Sequence, residues 1–281
     1  VDGWLVVSWK NEPWFCVDVE TTGLTAGQDR IVEVAGVWMR QGQVCEAPDG
    51  SPGRRATVVN PGIPIPDEAS AIHGVTDERV MGMPTMDEVS PRFCAHVQQS
   101  TVLVAYNVPF DFGFLMAECA GFADDCRGAH HMDPLTVVRE VGRYWPGKGR
   151  HKLTAAFRRL GLTLPGDAHR GSSDAIGAGM VLWHLRCKLP DDGADAMALL
   201  GRWRVEQERQ HGEWLGKMRA KNLATAPAPA PMACGKCGVV EMPMIEWSGI
   251  HMTAKCAQCG SYMQHLAQTD EWMALAPVRA P

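Results

Sequence analysis

The chain has 281 residues, 46% of them hydrophobic and 21% charged, with a formal net charge of −5; it leaves room for one full-sized domain and a smaller unit, and excludes a surface coated in basic residues. No apolar run approaches the roughly 18–20 residues of a membrane helix, so no membrane partner is expected. Residues 1–7 lack a basic stretch ahead of their apolar run and do not read as a secretory signal, so a cytoplasmic setting is expected, with the ten cysteines as thiols or metal ligands rather than disulfides.

Residues 15–20, 31–39 and 57–60 are β-branched or apolar runs separated by Gly-rich turns, which predicts three neighbouring strands paired as a meander. An apolar strand at 101–105 then leads through Asn107 and Pro109 into a helix over 110–120, and a further strand-like stretch ends near Asp133. Helices are predicted over 134–144, 153–160 and 173–189, the last started by Ser172 or Ser173 as its N-cap. The class is therefore α/β with a mixed sheet. Residues 194–222 place Met197, Leu200, Trp203, Trp214, Leu215 and Met218 at roughly helical spacing among charges, which predicts a long amphipathic helix with its apolar stripe on the core. The Ala/Pro alternation of 223–233 reads as an extended spacer and the domain boundary.

Three short segments carry acids in a pattern that asks for chemistry. In Asp18-Val19-Glu20-Thr21-Thr22-Gly23, at the end of the first strand, Asp18 and Glu20 share a face while Val17 and Val19 point the other way. Two carboxylates that close repel unless a cation lies between them, and hard oxygen ligands suit Mg²⁺ or Mn²⁺. Asn107-Val108-Pro109-Phe110-Asp111 puts a third carboxylate in the first turn of a helix, with Asn107 as its N-cap. His169-Arg170-Gly171-Ser172-Ser173-Asp174 adds a fourth carboxylate in the first turn of another helix, preceded by a histidine on a loop. A neutral imidazole is suited to take a proton from an attacking water at neutral pH. Taken singly, each segment also fits a blander role: a solvated strand edge, a helix-dipole acid, a surface histidine.

Together, in the order Asp-x-Glu-Thr-x-Gly, Asn-x-x-Phe-Asp and His-x₄-Asp, and with Ile72-His73-Gly74-Val75-Thr76 between the first two, the segments resemble the DEDDh (DnaQ-like) exonucleases, the family of the bacterial polymerase proofreading subunit and of RNase T. The resemblance covers roughly residues 12–190. It implies an RNase H-like mixed five-stranded sheet flanked by helices, and metal-dependent 3′→5′ removal of nucleoside 5′-monophosphates from single-stranded or frayed DNA ends. It implies two Mg²⁺ or Mn²⁺ ions held by Asp18, Glu20, Asp111 and Asp174, with Asp18 bridging and His169 as general base. It also implies that Thr22, Leu24, His73, Asn107 and Phe110 meet the substrate end, although Leu24 and Phe110 suit core packing and Asn107 suits capping nearly as well. RNA remains an alternative substrate, as in RNase T-like relatives, and a catalytically silent adaptor is a third reading. Arg139, Arg143, Lys148, Arg150, Lys152, Arg158, Arg159 and Arg170 could steer phosphates or simply form a solvated face.

Cys234-x₂-Cys237 and Cys256-x₂-Cys259 stand eighteen residues apart, each pair followed by glycine. That spacing predicts one structural Zn²⁺ in a module resembling a zinc ribbon. The remaining cysteines are scattered in mostly apolar runs and read as small buried hydrophobes. The expected organisation is an exonuclease domain over 10–190, a helical extension over 191–222, a linker over 223–233 and the ribbon over 234–270, the ribbon being a candidate contact for a polymerase or other replication protein.

Overall fold

The computed structural model describes residues 8–163, 171–225, 232–248 and 251–265. The chain divides into two compact units, Val1–Arg204 and Val205–Pro281.

In the first unit a 3₁₀ turn, Trp9–Asn11, precedes strands β1 (Trp14–Thr21), β2 (Ile31–Arg40), β3 (Gln43–Val44) and β4 (Arg54–Val58). Helices α1 (Asp67–His73), α2 (Asp77–Val80) and α3 (Met86–Gln98) follow. Strand β5 (Val102–Val104), helices α4 (Val108–Glu118) and α5 (Phe122–Asp125), and strand β6 (His130–Met132) complete the sheet. Helices α6 (Pro134–Val141), α7 (Leu153–Leu160) and α8 (Gly171–Leu185) come next, and α9 (Gly193–Thr225) runs into the second unit. β1 pairs antiparallel with β2, and β2 with β3 and β4, whereas β1–β5 and β5–β6 are parallel. The sheet is thus mixed, as the pattern predicts. It has six strands rather than five. The extra one is β3, which a tight turn at Gln41 and Gly42, both at positive φ, folds back on the end of β2; two exposed residues carry no periodicity to read.

Alternation along β1 and β2 sends the two faces into separate cores. Phe15, Val17, Val19, Val34 and Trp38 pack with α3 and α4 residues such as Phe93, Phe112 and Leu115. Trp14, Cys16, Val37 and Met39 pack on the other side with Ala175, Ala178, Val181 and Leu182 of α8. Helix α8 lies close against the sheet because small residues recur every four positions at Gly171, Ala175 and Gly179, one stripe of the helix. A Cβ at Gly179 would stand 2.4 Å from Met39 Sδ and 2.8 Å from Cys16 Sγ.

Three local expectations change. Ser172 and Ser173 lie inside α8, which begins at Gly171, and the Ser172 hydroxyl accepts from Arg54 at 2.8 Å instead of capping. The apolar stripe of α9 is only partly on the core: Ala196 and Leu200 are buried, whereas Trp214 is 48% exposed. The spacer over 223–233 is shorter than expected, since Leu223 to Thr225 continue α9 and Met232–Ala233 form a strand, β7; residues 226–231 lie outside the described residues.

In the second unit β7 pairs with β8 (Val240–Glu241), and β9 (Met244–Ser248), β10 (His251–Lys255) and β11 (Tyr262–His265) form a three-stranded antiparallel sheet. The C-terminal end of the expected ribbon, 266–270, lies outside the described residues.

Candidate functional site

The α8 face of β1 carries the acids. Asp18 and Glu20 share it with Cys16, and across the ladder they stand beside Ala35 and Glu33 of β2. Gly171 allows the first turn of α8 to come down on this spot: a Cβ there would lie 3.1 Å from Ala35 Cβ, 3.2 Å from Glu33 Oε1 and 3.6 Å from Asp18 Oδ2. One turn on, Asp174 joins the pair, and one carboxylate oxygen each from Asp18, Glu20 and Asp174 all lie within 4.8 Å of one another. Asp111 reaches the same strand from α4. Its Oδ1 accepts from the Val19 N–H at 3.1 Å, and the residue is only 3% exposed. It stands outside the three-acid group. His169 lies outside the described residues, as does Arg170.

The electrostatics of the acid group are those of charges held together against their preference. Burial, then the carboxylates of Asp111, Glu20, Asp174 and Glu33, push the Asp18 carboxyl well above its ordinary range. Burial raises Asp111 as well, opposed by the Val19 N–H and its own, and reinforced by Asp133 and Glu20. Glu20 is pushed up to about 7 by burial and by the charges of Asp174 and Glu33. A divalent cation among these oxygens would reverse that balance and favour all the ionised forms.

The residues expected to meet a substrate fall into three groups. Leu24 is 84% exposed, which rules out the core-packing alternative for it. Phe110 is half-buried, its ring 5.1 Å from that of Phe114, so core packing accounts for part of it. Thr22 is buried and its hydroxyl accepts from the Arg30 N–H at 3.0 Å, a bond that braces the loop after β1. His73 is buried, and its Nδ1 accepts from the Val75 N–H at 3.0 Å. Nε2 therefore carries the proton; it is buried, and the Thr21 backbone beside the ring favours the protonated form. Burial holds the His73 ring below its ordinary pKa. Asn107 precedes α4 in the left-handed region (φ 95°) and its side chain makes no capping bond, so capping is not its role.

Two acids that belong to this neighbourhood were not singled out from the sequence. Glu33 is 6% exposed on the acid face of β2, and its signal was an acid alone in the otherwise apolar run 31–39. Asp133 caps α6 through the Leu135 N–H at 2.9 Å, accepts from the Asn107 N–H at 3.2 Å, and is met by Arg204 at 3.0 Å. It fixes the loop that carries Asn107. Its own carboxyl is raised by burial, against the pull of Arg204.

In the second unit the four predicted cysteines converge. Cys234 and Cys259 sulfurs are 3.6 Å apart, as are those of Cys237 and Cys256, and all four lie within 4.8 Å of one another. That is too far for disulfides and close to the roughly 3.8 Å edge of a tetrahedron with Zn–S near 2.3 Å. Each pair sits on the same knuckle: Gly238 N–H donates to Cys234 O and Gly260 N–H to Cys256 O, at 2.8 and 2.9 Å, with both glycines at positive φ. Bonds to Ser261 draw the Cys259 thiol down to about 6. The cluster fits a zinc ribbon.

A family model described as Exonuclease matches residues 15–180. A DNA polymerase III subunit epsilon-like protein of Rhodobacter capsulatus is 34% identical over 209 residues, 72% of this chain and 27% of that protein. A PolC-type DNA polymerase III of Clostridium perfringens is 29% identical over 61% of this chain and 11% of its own length. The chain therefore spans well under two thirds of either relative. The DNA polymerase III subunit epsilon of Treponema pallidum is 31% identical over 61% of this chain and 75% of its own length. Among solved structures, exonuclease X in complex with 5′ overhanging duplex DNA shares the fold at a TM-score of 0.51 and 22% identity, over 66% of this chain and 99% of that one. The Exonuclease model lies within the first unit, and these comparisons do not confirm the zinc ribbon.

Proposed function

Because this chain belongs to the exonuclease family whose model spans residues 15–180, we propose that it is a metal-dependent 3′→5′ exonuclease acting on single-stranded or frayed DNA ends. The observation that carries the reading is the convergence of Asp18, Glu20 and Asp174 within 4.8 Å, on carboxyls pushed upward by burial and by each other. Such a donor set fits Mg²⁺ or Mn²⁺, which Asp18, Glu20 and Asp174, with Asp111, would hold. When bound, the ions supply Lewis-acid stabilisation of the charge that develops on the phosphate. His169 takes the proton of the attacking water; the water oxygen bonds to phosphorus, the bond to the 3′-oxygen of the preceding nucleotide breaks, and that oxygen is protonated as a nucleoside 5′-monophosphate departs. The exposed Leu24, with Phe110, offers an apolar wedge for the frayed terminal base. His73 joins them at the terminal nucleotide by its place in the motif Ile72-His73-Gly74-Val75-Thr76.

In the second unit Cys234, Cys237, Cys256 and Cys259 hold one structural Zn²⁺. The polymerase names of the relatives make a replication polymerase the partner to test first against that module.

The deciding experiment is digestion of 5′-labelled single-stranded DNA and a matched RNA with Mg²⁺ or Mn²⁺, beside Asp18→Ala and His169→Ala controls. Stepwise shortening of DNA that both controls lack supports the reading. Preference for RNA moves the enzyme to the ribonuclease branch, and no shortening of either refutes the assignment.

A further inference from the structure

Residues 139–160, which close α6, cross a loop and form α7, carry seven arginine and lysine side chains against the single acid Glu140, in a chain whose formal net charge is −5. All seven are exposed. Among the described residues only Arg143 of this group meets a carboxylate, that of Glu140 at 2.8 Å. The field they leave is felt inside the stretch: burial, with the charges of Arg150 and Arg139, holds the His151 ring below its ordinary pKa, against the pull of the Gly142 carbonyl. Tyr144, next to Arg143, is 90% exposed, the largest fraction of any large apolar side chain among the described residues. Its neighbour Trp145 is half-buried and held: the ring lies 6.3 Å from that of His151, the Arg159 guanidinium lies 5.8 Å over it, and a Cβ at Gly142 would meet it at 2.7 Å. The loop is also tied to the segment that delivers Asp111, because Tyr106, between β5 and α4, donates its hydroxyl proton to the His151 carbonyl at 2.6 Å.

We propose that this surface holds the single-stranded nucleic acid behind the 3′ end, as a track of phosphate contacts with one stacking platform. Lys148, Arg150 and Lys152 each take a phosphate, and the Tyr144 ring stacks against a base. Trp145 keeps Arg159 and the loop in place and does not meet the strand. Cations beside an exposed aromatic ring fit a polyanion that also presents flat rings, which an acidic protein or an anionic lipid surface does not. Through Tyr106 the track is continuous with the segment bearing Asp111, so one strand meets both. The identity of the polyanion and the direction of the strand rest on the exonuclease reading; the charge and the exposed ring stand without it.

The test is fluorescence anisotropy of the full chain with a labelled single-stranded DNA of about 12 nucleotides, without added Mg²⁺ or Mn²⁺ so that nothing is cut. Beside it, turnover with Mn²⁺ is measured on the p-nitrophenyl ester of thymidine 5′-monophosphate, which is too short to reach the track. We expect Tyr144→Ala to weaken DNA binding roughly tenfold and Tyr144→Phe to restore it. The triple variant Lys148→Gln/Arg150→Gln/Lys152→Gln should weaken binding at least as much and flatten the slope of log K against log salt by about 2, at about 0.7 per phosphate contact. All four side chains are exposed, so the variants fold, and each should hydrolyse the ester at the wild-type rate. Binding that Tyr144→Ala does not weaken, or a salt slope that the triple variant leaves unchanged, would overturn the proposal. Polyglutamate that competes as well as unlabelled DNA would also overturn it and assign the surface to an acidic protein. If wild-type protein cleaves the ester while its DNA binding ignores Tyr144, the track fails and the exonuclease reading stands; if it leaves the ester intact yet binds DNA through Tyr144, the track stands and the exonuclease reading fails.

Discussion

The Asp111 carboxylate accepts the backbone N–H of Val19 at 3.1 Å, so helix α4 is fastened to β1 between the two acids Asp18 and Glu20. This bond separates two jobs that one carboxylate does. Asp111→Asn retains an acceptor for Val19 and loses only the charge; its stability should stay within about 1 kcal/mol of wild type or rise, while metal-dependent turnover falls by orders of magnitude. Asp111→Ala leaves a buried N–H unpaired and should lose about 1–3 kcal/mol, less whatever is regained by removing a like charge. Urea midpoints of the two variants check this, and equal midpoints would show that the bond contributes nothing.

Acid crowding also sets a pH dependence with a definite sign. Glu20 titrates near 7 in the metal-free fold against an ordinary 4.5. Between those values the folded chain holds more protons than the unfolded one, so the metal-free protein is favoured at low pH and loses that contribution as pH rises through about 7. One group gives a slope of at most about 1.4 kcal/mol per pH unit. We expect the Tm of metal-free protein to fall over this window, less steeply in Glu20→Gln, and Mn²⁺ affinity to rise as the protons leave. Thermal melts and Mn²⁺ titrations at several pH values measure both. A metal-free Tm that climbs from pH 5 to 7 and owes nothing to Glu20 would contradict the argument.

Gly171 is where the first turn of α8 comes down on the sheet beside the acids. In Gly171→Ala the new methyl meets Ala35 Cβ at 3.1 Å and Glu33 Oε1 at 3.2 Å, so the first turn of α8 must lift by a few tenths of an ångström and take Asp174 with it. We expect a destabilisation of about 1–3 kcal/mol and a loss of kcat larger than that of affinity for substrate. An alanine variant with wild-type kcat would show that the turn can give without moving the acid.

Zinc content is the check on the second unit. One Zn²⁺ per chain should co-purify, and a chelator should release it together with four thiols that react with a disulfide reagent. Cys256→Ser should purify with little zinc and should not lower turnover on short oligonucleotides, because Asp18, Glu20, Asp111 and Asp174 all belong to the first unit. Elemental analysis beside the digestion assay decides it; wild-type protein free of zinc would end the ribbon assignment.

Much of the site could be read from residue order because its parts are local patterns. Alternation placed Asp18 and Glu20 on one face, and the paired cysteines required nothing beyond their spacing. What escaped depends on contacts between distant segments. Glu33 sits in a run that otherwise reads as core, and only the ladder to Glu20 shows its place. Asn107 has the composition of an N-cap, yet a left-handed backbone turns its side chain from that duty while its N–H is taken by Asp133, twenty-six residues on. Gly171 looks like a loop glycine until the strand beneath it is seen. The start of β7 was hidden for a similar reason, since Met232 and Ala233 become a strand only by pairing with Val240 and Glu241.

Strand β2 has the acids' neighbours, Glu33 and Ala35, on one side of its pleat, and Val34, Gly36 and Trp38 on the other, against the aromatic core around Phe15 and Phe93. A slip of one residue in its pairing with β1 would exchange the two sides at once. Carboxylates would be driven among phenylalanines, and tryptophan would be thrust toward the acids. Mispaired chains are thereby penalised twice over, so the same two-faced strand that separates the acid group from the aromatic core also proofreads its own folding.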